Sequence, residues 1–326
     1  MALLTPIQIA RLKRAGYRVV GPGQHSAVKV CHWCRRSLRG EGHCYKQEFY
    51  GIQSHRCLQC TPSLPFCSHR CVFCWRDVSV TFPQWGGDAD KPAELVDQML
   101  AAQKKLLYGF GGSETSDKAL YREALLPRHA AISLSGEPAL YPKLGELVEE
   151  FHRRKMTTFL VTNGIYPNVI EQLADNGQLP TQLYISLASH SPESYNKVHA
   201  PLVENGWERF LESLELMSKI AKAKKTRTVL RMTLAKNLNL EAAGEYAELI
   251  KRAGADYVEV KAYMAVGASR ERLGPKYMPE HGEIKEFAED LARETGYVET
   301  AEHEPSRVVL LSRDEKAAKN RIISFR

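Results

Sequence analysis

The sequence predicts an α/β fold: an open, partial barrel of six parallel strands alternating with helices, with a doubly wound sheet as the alternative. Two observations support this prediction. After residue 74, short apolar runs rich in β-branched residues alternate with polar or glycine-containing turns and with segments of helical periodicity, and one earlier strand leads into the cysteine-rich loop. Polar residues also cluster where the predicted strands end, and parallel α/β folds bind ligands at that edge.

The predicted elements follow this alternation along the chain. In the helix predicted at 207–224, the apolar residues fall on one stripe, as a helix that covers a sheet requires; they are Trp207, Phe210, Leu211, Leu214, Met217 and Ile220. The predicted strands are 57–63, 130–135, 157–162, 182–187, 228–233 and 257–262. The other predicted helices of this series are 93–108, 143–155 and 241–253.

Composition divides the chain into three segments. Residues 1–60 are rich in Cys, His, Gly and Arg and poor in apolar periodicity, which indicates a cofactor-binding segment in front of the barrel. Residues 61–265 carry the barrel. Residues 266–326 form a C-terminal extension with a loop at 266–278, a helix at 280–295, a strand at 307–311 and a basic tail ending at Arg326.

The overall composition is that of an ordinary soluble globular protein, with 44% hydrophobic and 25% charged residues among 326. The chain has no apolar run long enough to span a bilayer, so we expect no membrane partner. The N-terminus lacks the charged and apolar regions of a secretory signal, so we expect a reducing, cytoplasmic location. A net charge of +7 is compatible with a polyanionic partner and equally with a basic enzyme that has none.

All eight cysteines lie between Cys31 and Cys74, a distribution typical of cofactor ligands and unlike that of structural disulfides. The last three, Cys67, Cys71 and Cys74, have the spacing Cys-x3-Cys-x2-Cys after the first predicted strand. Three thiolates on one loop hold three irons of a [4Fe–4S] cluster and leave the fourth iron open to chelate S-adenosyl-L-methionine (SAM). The alternatives are a chance cluster of thiols and a zinc knuckle, which usually needs a fourth protein ligand that this triplet lacks.

Polar residues at the ends of later strands are candidates for SAM contacts. Ser135, Gly136 and Glu137 form a turn where small residues let the backbone approach the amino end of SAM and the carboxylate can accept from its ammonium group. This turn resembles the Gly-Gly-Glu motif of the radical SAM superfamily, with Ser in place of the first Gly. The other candidates, for which a satisfied turn or barrel residue is the alternative, are Asn163, Ser186 and Arg231.

The remaining five cysteines, Cys31, Cys34, Cys44, Cys57 and Cys60, allow two groupings. The two Cys-x2-Cys pairs supply the four ligands of a zinc ribbon. Alternatively, twelve residues lie in each gap between Cys31, Cys44 and Cys57, and this even spacing indicates a second three-cysteine cluster with an open iron. The spacing alone leaves both groupings open.

The cysteine pattern and several later motifs resemble the archaeal 4-demethylwyosine synthases, which are radical SAM enzymes that act on tRNA. The resemblance covers about residues 31–264 and includes CSHRCVFCWRD at 67–77, SLSGEPALYP at 133–142, LVTNG at 160–164 and YISLA at 184–188. It implies a radical SAM barrel and two [4Fe–4S] clusters, the second held by Cys31, Cys44 and Cys57 and binding pyruvate. Cys34 and Cys60 are extra thiols here, which leaves zinc or a disulfide open for them.

The reaction that the resemblance implies is that of a carbon–carbon lyase. N1-methylguanosine at position 37 of tRNA(Phe) and pyruvate become tricyclic 4-demethylwyosine. A 5′-deoxyadenosyl radical takes hydrogen from the N1-methyl group, the methylene radical attacks the carbonyl carbon of pyruvate, and the carboxyl carbon is lost. The resemblance also implies that Lys46 forms a Schiff base with pyruvate, for which its amine would need a depressed pKa. The alternative for a single lysine is a solvated surface charge.

A base modified within the tRNA anticodon loop must be unstacked, so a basic rim is expected around the pocket. Candidates for the rim are Trp75, Arg76, Arg270, Arg272 and the basic C-terminal tail. A denser basic run precedes a predicted strand and is therefore expected to be solvated at the far end of the barrel; it consists of Lys222, Lys224, Lys225 and Arg227.

Two other functions fit the sequence. One is a radical SAM enzyme with an auxiliary cluster acting on a peptide or small molecule, and the other is a non-catalytic, zinc-dependent RNA-binding protein. Zinc without labile sulfide in the purified protein would favour the second. No flavodoxin-like segment is visible, so we expect a separate one-electron donor protein, and we expect the enzyme to be a monomer.

Overall fold

A computed structural model of the chain describes residues 3–324. The strands are β1 (Arg18–Val20), β2 (Ser26–Val28), β3 (Cys57–Thr61), β4 (His129–Ile132), β5 (Thr157–Thr162), β6 (Gln182–Leu187), β7 (Arg227–Met232), β8 (Tyr257–Lys261), β9 (Val298–His303) and β10 (Val308–Ser312). The helices are α1 (Pro6–Arg14), α2 (His32–Leu38), α3 (Tyr45–Tyr50), α4 (Pro92–Gly112), α5 (Lys118–Ala124), α6 (Leu144–Arg153), α7 (Pro167–Asp175), α8 (Pro192–His199), α9 (Gly206–Lys222), α10 (Ala243–Ala253), α11 (Ser269–Arg272), α12 (His281–Thr295) and α13 (Glu315–Lys319). Within residues 3–324, no helix is both long enough and apolar enough to cross a membrane.

The ten strands form one sheet in the order β1-β2-β3-β4-β5-β6-β7-β8-β10-β9. The six strands from β3 to β8 pair in parallel and in chain order. The strands at both ends of the sheet pair antiparallel. A doubly wound sheet would reverse its strand order at a switch point, and β3 to β8 do not. The predicted partial (β/α)6 barrel is therefore confirmed.

The two faces of the sheet are buried by different parts of the chain. The outer face packs against α4, α6, α7, α9, α10 and α12 in the main hydrophobic core. On the inner face, Phe159, Tyr184 and Val229 pack against Phe49 of α3. The helix α3 therefore covers the inner face of the sheet and brings the preceding residue, Cys44, to that face.

The apolar stripe predicted on the helix at 207–224 is confirmed in α9. Its buried residues are Gly206, Phe210, Ser213, Leu214, Met217, Ile220 and Ala221. Trp207 and Leu211 lie at the margin of the stripe, partly buried against the same core. Spacings of three and four residues place these side chains on one face of the helix, so burying them against the sheet holds α9 in place.

The prediction omits elements that are too short to show a clear period. It omits β1, β2, β9 and the helices α1, α2, α3, α5, α7, α8, α11 and α13, each of nine residues or fewer. The boundary predicted after residue 60 falls inside β3, because β1 and β2 extend the same sheet. Strands β1 and β2 thus join the segment before residue 60 to the sheet of the barrel. Arg326, at the end of the predicted basic tail, lies outside the described residues.

Candidate active site

The loop that carries Cys67, Cys71 and Cys74 follows β3 at the carboxyl edge of the parallel strands. The N–H of Cys67 donates to the carbonyl of Phe82 (2.9 Å) and that of Cys74 to the carbonyl of Cys71 (3.0 Å), so the backbone holds both ends of the triplet. All three thiols are free and partly exposed. Burial, together with the charges of Cys74 and Cys67, raises the pKa of Cys71 well above its usual range. Thiolates that repel one another in this way are suited to be ligands of one shared metal cluster, whose positive charge offsets the repulsion.

Two arginines bind this loop directly. Arg76 is 7% exposed and donates to the carbonyl of His69 (3.0 Å) and to the hydroxyl of Thr81 (2.9 Å). Arg272 donates to the carbonyl of Cys74, across almost two hundred residues of sequence. Both arginines therefore help to hold the cysteine loop, Arg76 from a buried position and Arg272 from an exposed one, and their contact with phosphates stays a prediction.

The turn formed by Ser135, Gly136 and Glu137 packs directly against the start of the cysteine loop. Gly136 has a φ of +73°, and a Cβ atom at this position would lie 1.9 Å from the carbonyl oxygen of Ser63 and 2.7 Å from that of Phe66. The N–H of Glu137 donates to the same Phe66 carbonyl (2.7 Å). Only glycine permits both the positive φ and this close backbone approach.

Gly136→Ala is therefore expected to displace the turn from the cysteine loop and to lower both thermal stability and the iron content after reconstitution. The matched control is Gly177→Ala, because Gly177 has a φ of +69° but a Cβ atom there would meet nothing within 4 Å among the described residues beyond its chain neighbours. The control carries only the left-handed backbone strain of about 1–2 kcal/mol. Equal melting temperatures and equal iron contents in the two variants would contradict the tight packing of this turn.

Glu137 joins the turn to the end of the neighbouring strand. Its carboxylate, 2% exposed, accepts from the hydroxyl of Thr162 (2.6 Å) and from the N–H of Asn163 (2.7 Å). Burial raises the pKa of Glu137 to about 7, although these hydrogen bonds oppose the rise. The amide of Asn163 in turn donates to the hydroxyl of Ser68 inside the cysteine loop (2.8 Å). These candidates for SAM contacts therefore lie together around the cysteine loop.

A histidine that the sequence does not single out contacts the same loop. His199, at the end of α8, is 4% exposed, and its Nδ1 lies 3.3 Å from the Sγ of Cys71. Burial lowers the pKa of His199 to about 4. His69 accompanies it, so that donor atoms of His69, Cys71 and His199 all lie within 4.8 Å of one another. His199 comes from a distant helix, and no spacing in the sequence indicates its contact with Cys71.

Cys31, Cys44 and Cys57 come from three different elements, just before α2, just before α3 and at the start of β3. Burial and the charges of Cys31 and Cys44 raise the pKa of Cys57 well above its usual range. Burial and the charge of Cys31 raise the pKa of Cys44 to about 12. All three are free and partly exposed. The three thiols thus lie close enough to interact, as the evenly spaced grouping requires.

The other two thiols, Cys34 and Cys60, lie in apolar surroundings. Cys60 is fully buried in the main core with Leu58 and Val28, because residues three apart on a strand face opposite sides and Cys57 faces the other way. Cys34 is fully buried among Val30 and other apolar side chains. The position of Cys60 on the other side of β3 disfavours the four-ligand zinc ribbon, whereas Cys34 lies close enough to add to the raised pKa of Cys57, after burial and the charges of Cys31 and Cys44.

Lys46 projects from the start of α3 onto the inner face of the sheet. Its Nζ lies 4.3 Å from the ring centroid of Tyr184 and 5.0 Å from that of Phe159. Burial lowers the pKa of Lys46, while the charges of Glu259 and Cys44 oppose the fall. Lys46 is therefore not the solvated surface charge that the sequence alone would allow.

Ser186, Arg231 and Glu259 are direct cross-strand partners on β6, β7 and β8, and we call these three residues the inner-face row. Glu259 is fully buried and accepts hydrogen bonds from the hydroxyls of Tyr45 (2.8 Å) and Tyr50 (2.9 Å) of α3. This carboxylate thus fastens α3, and with it Cys44 and Lys46, to the sheet. Arg231 interacts with Tyr45 and Glu259 and so also borders the surroundings of Lys46, while its contact with SAM stays a prediction.

The sequence prediction does not include Glu259, Lys261 or Tyr45 among the site residues. Burial and the charge of Arg231 lower the pKa of Lys261 to about 7, and its amine donates to the carbonyl of Ser306. The sequence does contain an indication for Glu259 and Lys261. They stand two residues apart in β8, an otherwise apolar strand, and therefore share a face. Two charges on one face of a buried strand need partners inside the fold.

The basic residues expected at the rim are distributed differently. Trp75 stacks on Tyr17 with ring centroids 6.0 Å apart, and Arg270 and Arg272 are both exposed. The described part of the C-terminal tail lies at the opposite end of the barrel, where Arg227 at the start of β7 donates to the carbonyl of Asn320 (3.0 Å). This part of the tail is therefore away from the cysteine loop, and Arg227 is not simply solvated.

Two family models match the chain. Residues 61–250 match the Radical SAM superfamily, which is defined by use of SAM and a [4Fe–4S] cluster, and residues 252–313 match a model described as Wyosine base formation. The tRNA 4-demethylwyosine synthase of Pyrococcus horikoshii is 49% identical over 317 residues, which is 95% of this chain and 90% of that protein.

Solved structures agree with the sequence matches. A structure of TYW1 with a bound lysine–pyruvate adduct is 36% identical and superimposes with a TM-score of 0.85, covering 95% of this chain and 97% of that one. A crystal structure of archaeal TYW1 is 34% identical with a TM-score of 0.76, and 98% of each chain is covered. The chain therefore belongs to the S-adenosyl-L-methionine-dependent tRNA 4-demethylwyosine synthases, a family of radical SAM enzymes.

Proposed function

We propose that this chain is a carbon–carbon lyase that condenses N1-methylguanosine at position 37 of tRNA(Phe) with pyruvate to form 4-demethylwyosine. The observation that carries the proposal is the position of Lys46, whose amine is half-buried against Tyr184 on the inner face and adjoins Cys44. A relative 36% identical to this chain holds a lysine–pyruvate adduct. Lys261 lies on the same face, but the carbonyl of Ser306 engages its amine, so we assign the adduct to Lys46.

In this proposal Lys46 acts as the nucleophile toward pyruvate. Burial lowers its pKa, which increases the fraction of neutral amine available to attack the carbonyl carbon. The carbon–nitrogen bond forms and the carbonyl oxygen leaves as water. The aromatic wall formed by Tyr184 and Phe159 keeps the lysine side chain in contact with the inner face while the adduct forms.

The donor sets fit two [4Fe–4S] clusters, because each consists of three free, partly exposed thiols that raise one another's pKa. We assign the first cluster to Cys67, Cys71 and Cys74 and the second to Cys31, Cys44 and Cys57. When bound, the first would supply the electron that cleaves SAM to methionine and a 5′-deoxyadenosyl radical. The residues that we propose to border SAM are Ser135, Gly136, Glu137, Asn163 and Ser186.

The assignment of the second cluster predicts a specific loss of iron. Cys44→Ala is expected to lower iron from about eight to about four atoms per chain, and to stop tricycle formation while SAM cleavage continues. Cys60→Ala is the matched control, since that thiol is fully buried in the outer core and faces away from Cys57. If iron stays at about eight in Cys44→Ala, Cys44 is not a ligand.

We further propose a division of roles along the chain, with residues 1–60 holding the second cluster, 61–265 forming the barrel and 266–326 contributing tRNA contacts. The exposed Arg270 is the first candidate for such a contact, because it lies in the segment that Arg272 ties to the cysteine loop. A separate protein would supply the electron. The enzyme would act as a monomer in the cytoplasm.

The test is anaerobic reconstitution with iron and sulfide, followed by incubation with SAM, dithionite, pyruvate and tRNA(Phe) that carries N1-methylguanosine at position 37. Digestion of the tRNA and mass spectrometry of the nucleosides should show 4-demethylwyosine in place of N1-methylguanosine. SAM cleavage without any change in the tRNA would favour the alternative, a radical SAM enzyme that acts on a peptide or small molecule.

A further inference from the structure

Arg231 lies in the inner-face row between Ser186 and Glu259 and has hydrogen-bonding capacity that the protein does not use. Its Nε lies 3.8 Å from the nearest carboxylate oxygen of Glu259, which is too long for a hydrogen bond. This Nε is buried and, within the described part of the chain, has no hydrogen-bond partner. Glu259 is already occupied, because it accepts from Tyr45 and Tyr50. Part of the guanidinium is therefore available to a ligand.

The charges around Arg231 favour an anionic ligand. Lys46 rests on the ring of Tyr184, and Lys261 stands two residues after Glu259 on the same face of β8. The carboxylate of Glu259 on this face is already engaged by two tyrosine hydroxyls. A guanidinium presents a planar pair of donors that matches a carboxylate, and the bond is stronger where water is excluded.

The strand register places Arg231 within reach of Lys46. The amine of Lys46 rests on the ring of Tyr184, which is two residues before Ser186 on β6 and so on the same face. Ser186 is the direct partner of Arg231 on β7. The Cα atom of Arg231 therefore lies one strand across and two residues along from the Cα atom of Tyr184, a distance of roughly 8 Å. Two long side chains span that distance around a three-carbon acid.

We propose that Arg231 binds the carboxylate of the 2-oxo acid whose carbonyl carbon is attacked by Lys46, with Lys261 as the second cation. This rests on the proposed function, in which Lys46 condenses with pyruvate. The nitrogen–carbon bond forms at Lys46, the carbonyl oxygen leaves as water, and the carboxylate keeps its charge in contact with the guanidinium. The site thereby selects 2-oxo acids over neutral ketones. The competing arrangement is a carboxylate bound at the open iron of the second cluster.

The experiment compares pyruvate with pyruvamide, a ligand of nearly the same shape whose carboxylate is replaced by a neutral amide. The reconstituted protein is titrated with each ligand, reduced with cyanoborohydride, and the adduct on the Lys46 peptide is quantified by mass spectrometry. Arg231→Gln should raise the half-saturating concentration of pyruvate at least about tenfold, as expected for loss of a charge-assisted hydrogen bond. The same substitution should change the half-saturating concentration of pyruvamide by no more than about twofold. Arg231→Lys keeps the charge and should give a smaller increase for pyruvate.

The matched control is Arg252→Gln, because Arg252 is a half-exposed arginine of α10 that pairs with Glu215 at the surface. It should change neither titration. The proposal would be overturned if Arg231→Gln and Arg231→Lys weakened the binding of pyruvate and pyruvamide equally. It would also be overturned if neither variant weakened pyruvate binding, since the carboxylate would then be bound elsewhere, for example at the open iron.

A calorimetric titration of Lys46→Met with pyruvate separates this proposal from the proposed function. If the wild type forms no adduct but Arg231→Gln still weakens pyruvate binding in the Lys46→Met background, the Schiff base is wrong and the anion site stands. If adducts form normally and Arg231 has no effect on pyruvate, the anion site is wrong and the Schiff base stands.

Discussion

Cys71→Ala is expected to reduce the formation of 5′-deoxyadenosine from SAM to the background of a reaction without enzyme. Cys71 is the middle ligand of the cysteine loop, its thiol interacts with Cys67 and Cys74, and it contacts His199. With two thiolates left on the loop, the cubane loses one of its three iron ligands and the open iron loses its geometry. The measurement is an anaerobic reaction with SAM and dithionite, in which 5′-deoxyadenosine is quantified chromatographically.

The control for this variant is Cys34→Ala, which removes a thiol buried among apolar side chains. It should cost stability through the small cavity that it leaves, and it should keep SAM cleavage. Normal formation of 5′-deoxyadenosine by Cys71→Ala would contradict the assignment of the first cluster. Equal loss in both variants would show that the effect comes from unfolding.

Lys46→Arg is expected to abolish tricycle formation although it preserves the positive charge. A guanidinium stays protonated and is too weak a nucleophile to form an imine with pyruvate. SAM cleavage should continue without product, because Lys46 belongs to the surroundings of Cys44 and not to the cysteine loop. Borohydride reduction in the presence of pyruvate should label the Lys46 peptide of the wild type and leave the variant unlabelled.

Lys261→Arg is the informative comparison, because it alters a second half-buried lysine on the inner face, one whose pKa is also lowered by burial. The adduct should still form on Lys46 in that variant. Label on Lys261 in the wild type would transfer the Schiff base to that residue. Full turnover by Lys46→Arg would show that only a positive charge is needed there and that pyruvate is activated by the second cluster as a Lewis acid.

The features that the sequence predicts well are those encoded by local pattern. The strands of the barrel follow from short runs of β-branched and apolar residues, and α9 follows from a stripe with helical spacing. The cysteine loop is a contiguous motif, so its position after β3 can be inferred without any tertiary contact. The turn at Gly136 follows from the same logic, because its residues end a predicted strand.

The features that the sequence does not predict depend on contacts between distant segments. The helix α3 has six residues, and nothing in their spacing indicates that they cover the inner face of the sheet. The pairing of Tyr45 with Glu259 spans more than two hundred residues, and the bond from Arg272 to the cysteine loop spans slightly fewer. The zinc-ribbon alternative, by contrast, can be decided from strand geometry, since Cys57 and Cys60 are three apart and face opposite sides of β3.

The most direct test of the central claim is a reaction with uniformly carbon-13-labelled pyruvate and tRNA(Phe) whose N1-methyl group carries deuterium. If pyruvate condenses with Lys46 and its carboxyl carbon is then lost, the new nucleoside gains two labelled carbons from pyruvate. Hydrogen abstraction from the methyl group predicts that deuterium appears in 5′-deoxyadenosine. A tRNA that keeps its N1-methylguanosine, with no deuterium in 5′-deoxyadenosine, would contradict the account.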